Sequence, residues 1–218
     1  MMAMTKNFSH AILEDAEELA SYLGWDEGVY HDFLAIQRGE MSENAFWDKY
    51  RWRRAIMVLD MTGFTSTSLK VGELQSLLRI FDAQKVCTPV LKEYNADLIR
   101  FFADDIVALF EDPMVALDAS LEIHRRIRLY NNSGSSYSYA TECCIGIGFG
   151  DVLRIGPNLS QGEEMVKASK LGEDIARANE ILLTEKAFQA MGFREDVIFE
   201  HQAQDDQLFS FYRATAKF

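Results

Sequence analysis

The sequence predicts an α+β domain whose core runs βαββαβ plus extra strands, a ferredoxin-like sheet with helices on one face. Three observations carry that prediction. Ile56, Met57, Val58 and Leu59 form a short apolar run of β-branched bias that ends on Asp60 and a glycine turn, after which the period lengthens to that of a helix. Residues 99–102 and 106–110 are two apolar runs joined by Asp104-Asp105, the pattern of a hairpin with an acidic tip. A second helical period opens at Pro113 and gives way to another strand-like run over residues 141–149.

A chain of 218 residues, 48% hydrophobic, suits one domain with a modest extension and an ordinary packed core. Its net charge of −12 argues against nucleic acid or an anionic membrane as the main partner, because both require a positive field. A polyanionic ligand must therefore be met by metal ions and local cations. Cys87, Cys143 and Cys144 lack metal-ligand spacing and read as buried reduced thiols, which suits the cytoplasm. The first residues hold no signal-like apolar core, and no apolar run nears the roughly eighteen residues of a membrane span, so a soluble cytoplasmic protein is expected. His10, His31, His124 and His201 have no ligand spacing either.

Taken in order, residues 1–53 read as an N-terminal helical extension and 54–218 as the core domain. Residues 9–23 carry apolar side chains at a helical period and stop at Gly24; further helices are expected over 26–37 and 42–50, the last capped by Ser42. Lys49, Arg51, Arg53 and Arg54, interleaved with Tyr50 and Trp52, are the one dense basic run, on an extended strand. It reads either as a solvated face or as a neutraliser of triphosphate with an aromatic to stack on a base. Beyond the turn after Asp60 comes a long amphipathic helix to Tyr94-Asn95, the hairpin of 97–110, the Pro113 helix to Asn131-Asn132 and a polar loop over 131–138. Residues 141–149 and 152–155, linked by Gly150-Asp151, read as a tight hairpin in which Gly146 and Gly148 mark close backbone approach or simply a twisted strand. A helix over 163–179, a strand over 181–184, a helix over 185–191 and a closing hairpin near 197–199 and 208–213 finish the chain.

The stretch from Ile56 to Ser66 is strand, acid, phosphate-sized turn and helix. Such a turn offers backbone N–H groups to an anion, and an acid beside a phosphate demands a cation between them. An acidic hairpin tip facing Asp60 would complete a two-carboxylate metal clamp.

Three ordered blocks resemble the class III nucleotidyl cyclases: Asp60-x-x-Gly63-Phe64-Thr65; Arg100, Ala103 and Asp104; and Gly162-Glu163-Glu164-Met165-Val166-Lys167-Ala168-Ser169-Lys170, similar to the family's Gly-Asp-x-Val-Asn-x-Ala-x-Arg helix. The resemblance runs from Arg54 to the C-terminus and implies a class III cyclase domain. Such an enzyme joins the ribose 3′-hydroxyl of a nucleoside triphosphate to its α-phosphorus and expels pyrophosphate, using two divalent cations, Mg²⁺ or Mn²⁺. It implies Asp60 and Asp104 as metal ligands, the Met61 carbonyl beside them, and Thr62, Gly63, Phe64 and Thr65 at the phosphates. Asp105 fills a position that the family gives to a small residue and reads as turn-forming. The family also implies a head-to-tail homodimer in which base-reading and transition-state residues come from the other protomer.

Departures from the family pattern bear on the substrate. Arg100 replaces a Lys, and Leu159 replaces an acidic or small polar residue, which removes the purine-edge pair. Arginine presents a donor fork without an acceptor, suited to the carbonyl oxygens of uracil, and an aromatic, Tyr50 before Trp52, would shorten the pocket against a two-ring base. In these features the chain resembles the pyrimidine cyclases of bacterial Pycsar anti-phage defence, which implies UTP before CTP as substrate and a cyclic product read by a separate effector protein. Lys170 stands where the family has the Arg that meets charge on the α-phosphate, and Val166 where it has the Asn that orients ribose. An adenylate cyclase with an atypical base pocket and a catalytically degenerate nucleotide-binding sensor are the alternative readings.

Overall fold

The structure, a computed structural model, describes residues 12–133, 140–202 and 209–217. The first helix, α1 (Ala16–Leu23), opens where the Asp15 carboxylate accepts the Glu18 N–H at 2.8 Å and closes at Gly24, φ 74. It is shorter than the expected 9–23 because the Asp15 cap sets its start; residues 1–11 lie outside the described residues. Next come α2 (Glu27–Arg38) and α3 (Glu43–Tyr50), with Ser42 Oγ accepting the Ala45 N–H as the sequence suggests.

The strands are β1 (Arg51–Met61), β2 (Leu98–Phe102), β3 (Asp105–Phe110), β4 (Cys143–Gly156), β5 (Leu159–Gln161), β6 (Ile181–Thr184), β7 (Val197–Gln202) and β8 (Phe211–Ala216). They form one sheet in the order β2-β3-β1-β4-β6-β8-β7, with β5 beside β4. The portion β2-β3-β1-β4 is the ferredoxin-like order, antiparallel throughout, and β6 extends it parallel to β4. The helices of the core are α4 (Phe64–Val71), α5 (Glu73–Glu93), α6 (Pro113–Asn132), α7 (Glu163–Ser169) and α8 (Glu185–Met191). A π-helical segment, Lys170–Ile175, continues α7.

Strand alternation explains the layers. Ala55, Met57 and Leu59 of β1 pack with Cys87, Val90 and Leu91 of α5, Ile123 and Ile127 of α6, and Ala187 of α8. Ile56 and Val58 face the other way, against Met165 and Ala168 of α7. Helices therefore cover both faces of the sheet, not one as expected, because β1, β3 and β4 are apolar at successive positions and need burial on each side. The N-terminal helices form a separate cluster, Val29 and Phe46 with Ile155, joined by Tyr50, Leu153 and Leu159. No helix among the described residues is long and apolar enough to cross a membrane.

Four local expectations change. The hairpin expected at 141–155 is one continuous strand, because Gly150 and Asp151 lie opposite Arg54 and Arg53 in the β1 ladder and cannot turn. Gly146 and Gly148 mark close approach: a Cβ on either would run into the backbone carbonyls of Ala168 and Glu164, so α7 lies directly on β4. The expected helix of 163–179 ends at Ile175 after its π-helical turn, and the helix after the glycine turn is broken at Gly72 into α4 and α5. The hairpin turn is Ala103-Asp104, with Ala103 at φ 48, so Asp105 belongs to β3. Within the polar loop and the closing hairpin, residues 134–139 and 203–208 lie outside the described residues.

Candidate metal centre and phosphate turn

Asp60 shares its face of β1 with Ile56 and Val58, so it emerges under α7 at the carboxyl end of the strand. Val107 and Leu109 of β3 use the same face, and period two puts Asp105 there as well. Leu59 pairs with Ile106, which brings the hairpin tip beside Asp60. Carboxylate oxygens of Asp60, Asp104 and Asp105 all lie within 4.8 Å of one another.

Burial, followed by the charges of Asp104 and Asp105, pushes the Asp60 carboxyl up to about 7. Below that value Asp60 holds a proton and donates a hydrogen bond to Asp105, whose own pKa is raised by burial and Asp104 while the Asp60 bond and Arg100 oppose the rise. Three carboxylates this close repel unless a proton or cation lies between them. An all-oxygen donor set of this kind fits a hard divalent ion such as Mg²⁺ or Mn²⁺. Asp60 and Asp104, paired from the sequence, are brought together. Asp105, read as turn-forming, is instead a member of the cluster, since a two-residue turn of Ala103-Asp104 leaves it as the first residue of β3. Counting period two back from Leu109 and Val107 would have found it.

The other side of Asp60 is lined by Cys144, whose Sγ lies 3.6 Å from the Asp60 carbonyl oxygen and 3.9 Å from Oδ2. Burial pushes this thiol up to about 11, so it stays protonated and donates. Thr62 Oγ1 donates to the same sulfur at 3.6 Å, and the Thr62 N–H reaches the Glu142 carbonyl at 2.9 Å. Met61 ends β1 opposite Cys143 with its side chain buried. Gly63 follows in the left-handed region, φ 64, and α4 begins at Phe64 without a side-chain cap. An uncapped helix start next to the acids leaves backbone donors for an anion. Thr65 is in the first turn of α4, and its side chain lies outside the described residues.

Arg100 sits on β2 on the α7 face, close enough for its charge to lower Asp105 and to oppose the burial-driven rise at Glu173 of the π-helical segment. Among the described residues it makes no ion pair. Lys170, at the start of that segment, binds Asp174 at 2.6 Å, and Val166 is 57% exposed on α7. Tyr50 and Leu159 do not join the acids. They pack together in the extension's cluster, where the Tyr50 hydroxyl donates to Asp32 at 2.8 Å. At about 3.3 Å per residue, β1 holds Tyr50 roughly 30 Å from Asp60 in the same chain. Trp52 has the guanidinium carbons of Arg54 and Arg154 each 4.4 Å from its ring centroid.

No protein-family model matches the chain, and no curated protein does either. Solved structures do. The adenylyl cyclase CyaB from P. aeruginosa is 16% identical with a TM-score of 0.64, covering 77% of this chain and 97% of that one. The guanylate cyclase domain of RhGC from Catenaria anguillulae, in complex with GTP, is 14% identical with a TM-score of 0.64, covering 77% and 99%. The adenylate/guanylate cyclase/hydrolase from Silicibacter pomeroyi is 19% identical with a TM-score of 0.59, covering 75% and 95%. The chain thus has the α+β fold of class III cyclase domains, with α1, α2 and α3 preceding its first strand.

Proposed function

We propose that this chain is a pyrimidine nucleotide cyclase that converts UTP, and less readily CTP, to the 3′,5′-cyclic monophosphate and pyrophosphate. One observation carries the cyclase reading: the Asp60, Asp104 and Asp105 cluster stands next to the uncapped start of α4 in a cyclase fold. Asp60, Asp104 and the Met61 carbonyl would hold two divalent cations, with Asp105 as an added carboxylate. Bound there, the ions would neutralise the triphosphate and lower the pKa of the attacking hydroxyl. Thr62, Gly63, Phe64 and Thr65 would form the turn that receives phosphate: the Thr62 N–H is held by the Glu142 carbonyl and fixes the turn, and the uncapped start of α4 at Phe64 would face the anion.

In the same reading the enzyme is a head-to-tail homodimer. The second copy would supply Arg100 to the base and Lys170 to the charge on the α-phosphate; Tyr50 and Leu159, expected at the same base, pack together at the other end of β1 from Arg100 and so have no part in that contact. The Lys170 pair with Asp174 is half-exposed on both sides, so exchanging Asp174 for phosphate costs little. Residues 54–218 are read as the catalytic domain, 1–53 as its extension, and the product as a cytoplasmic messenger for a separate effector in anti-phage defence.

Two other readings keep an observation each. The acid cluster serves ATP equally well, so an adenylate cyclase with an unusual base pocket fits the metal side. Exposed Val166 and the Lys170–Asp174 pair fit a domain that binds nucleotide without turnover. Incubating the protein with each of the four ribonucleoside triphosphates and Mn²⁺, then identifying products by mass, separates them. Cyclic UMP is expected; cyclic AMP, or binding without product, selects an alternative. Arg100→Ala should lower the rate chiefly on the preferred pyrimidine, and an equal loss on all four nucleotides would mean that Arg100 serves only the local charge balance.

A further inference from the structure

Helix α5 turns an arginine inward. Arg79 is 4% exposed, and its Nε and Nη1 atoms are buried without a hydrogen-bond partner. Among the described residues no carboxylate forms an ion pair with it. Its guanidinium carbon stands 5.7 Å from the ring centroid of Phe64, the first residue of α4. Ser68, one turn along α4, has a buried hydroxyl that is likewise unpartnered.

A buried cation without a counter-charge is costly, and the uncapped start of an eight-residue helix adds partial positive charge of the same sign. A ring beside a guanidinium holds it in place but does not neutralise it. The donors left unused at this place all call for an anion. We propose that Arg79 is the fixed cation of the phosphate subsite at the start of α4, and that its counter-charge is the polyphosphate of the ligand, not a carboxylate of the protein. This rests on reading the Gly63 turn as a phosphate site.

The probe is tripolyphosphate as its magnesium complex, titrated calorimetrically into the wild type, R79K and R79M, with melting temperature and Mn²⁺ affinity measured alongside. R79M should weaken tripolyphosphate at least about tenfold, the effect of one charge-assisted hydrogen bond, and R79K less. Mn²⁺ affinity should stay unchanged, and ligand-free R79M should melt no lower than the wild type, since relief of the buried, unpaired charge offsets loss of the ring contact with Phe64. Tripolyphosphate affinity in R79M within twofold of the wild type would overturn the assignment. So would a wild type that binds none, or a fall in melting temperature with parallel loss of Mn²⁺. Arg79-dependent binding without product from any nucleotide would leave this inference standing while removing the cyclase reading. Cyclisation with an unchanged KM in R79M would do the reverse.

Discussion

The two ends of β1 treat charge in opposite ways. At its start, Lys49 meets Asp32 at 2.6 Å, Arg51 and Arg53 approach Asp151 at 3.8 and 3.9 Å, and Arg54 meets Asp97 at 2.6 Å. At its end, Asp60 is gathered with Asp104 and Asp105, and no lysine or arginine forms an ion pair with them among the described residues. Exposed pairs of the first kind contribute about 0–1 kcal/mol each and need nothing further. A cluster of the second kind works against folding until a cation or proton enters. The basic run, the more conspicuous of the two in sequence, is thereby the less informative about function.

The sharpest way to break this contrast is to remove acids from the far end. Asp60→Asn and Asp104→Asn should each cut cyclisation by at least about a hundredfold while circular dichroism stays native, because each removes charge that the ions require. Asp105→Asn should weaken Mn²⁺ binding, measured by calorimetry, by about tenfold; no change would return Asp105 to a turn-side role. The next effect is on stability. The unfolded chain loses the Asp60 proton near 3.8, whereas the folded chain holds it to about 7, so the folded state binds more protons between these values. The Asp60 contribution to metal-free stability should therefore be fully present below the lower value and be lost as pH rises through about 7, with Asp105 adding in the same direction; the paired carboxylates such as Glu122, held low by Arg125 and Arg126, work in the opposite sense only in more acid solution. Melting curves across this range should show that decline, and saturating Mn²⁺ should raise the melting temperature most at the upper end. Asp60→Asn should remove this component, which the difference between wild-type and variant melting curves isolates.

At the paired end, Arg51→Gln and Arg53→Gln should shift stability by less than about 0.5 kcal/mol and turnover by less than about twofold. A large loss of triphosphate affinity would show that these arginines leave Asp151 for the ligand. Ala103→Gly should act in the opposite sense, a gain of up to about 1 kcal/mol in chemical denaturation, since Ala103 holds φ 48 in the hairpin turn.

Much of the sheet was legible because its signals are local. The β-branched run before Asp60, the paired runs around the hairpin and the Ser42 cap all appear where the residues indicate. What misled was information carried by neighbours. Gly150-Asp151 has turn chemistry, but its backbone groups are claimed by Arg53 and Arg54 across the ladder. Helices on both faces follow from the unbroken apolar run of Ala55 to Leu59, which leaves neither face of β1 polar. Asp60 with Asp104 could be paired by spacing, whereas Asp105 needed the turn position, a single residue of register that reverses a side chain's face. Cys144 beside Asp60 depends on the β1–β4 pairing, which lies outside any local pattern. Arg79 has no sequence signal at all, since an arginine on an amphipathic helix reads as solvent-facing.

The seam between α7 and β4 has a consequence for anyone who maps this protein by saturation mutagenesis. Gly146 and Gly148 bear no functional group, yet any larger residue at either would lever the helix that carries Val166 and Lys170 away from the sheet. Both should score as intolerant as Asp60, and a screen that records only lost product would rank them as chemistry. Assaying soluble yield in the same library would separate the two kinds of intolerance, because the glycine variants would vanish from both readouts and the Asp60 variants from one.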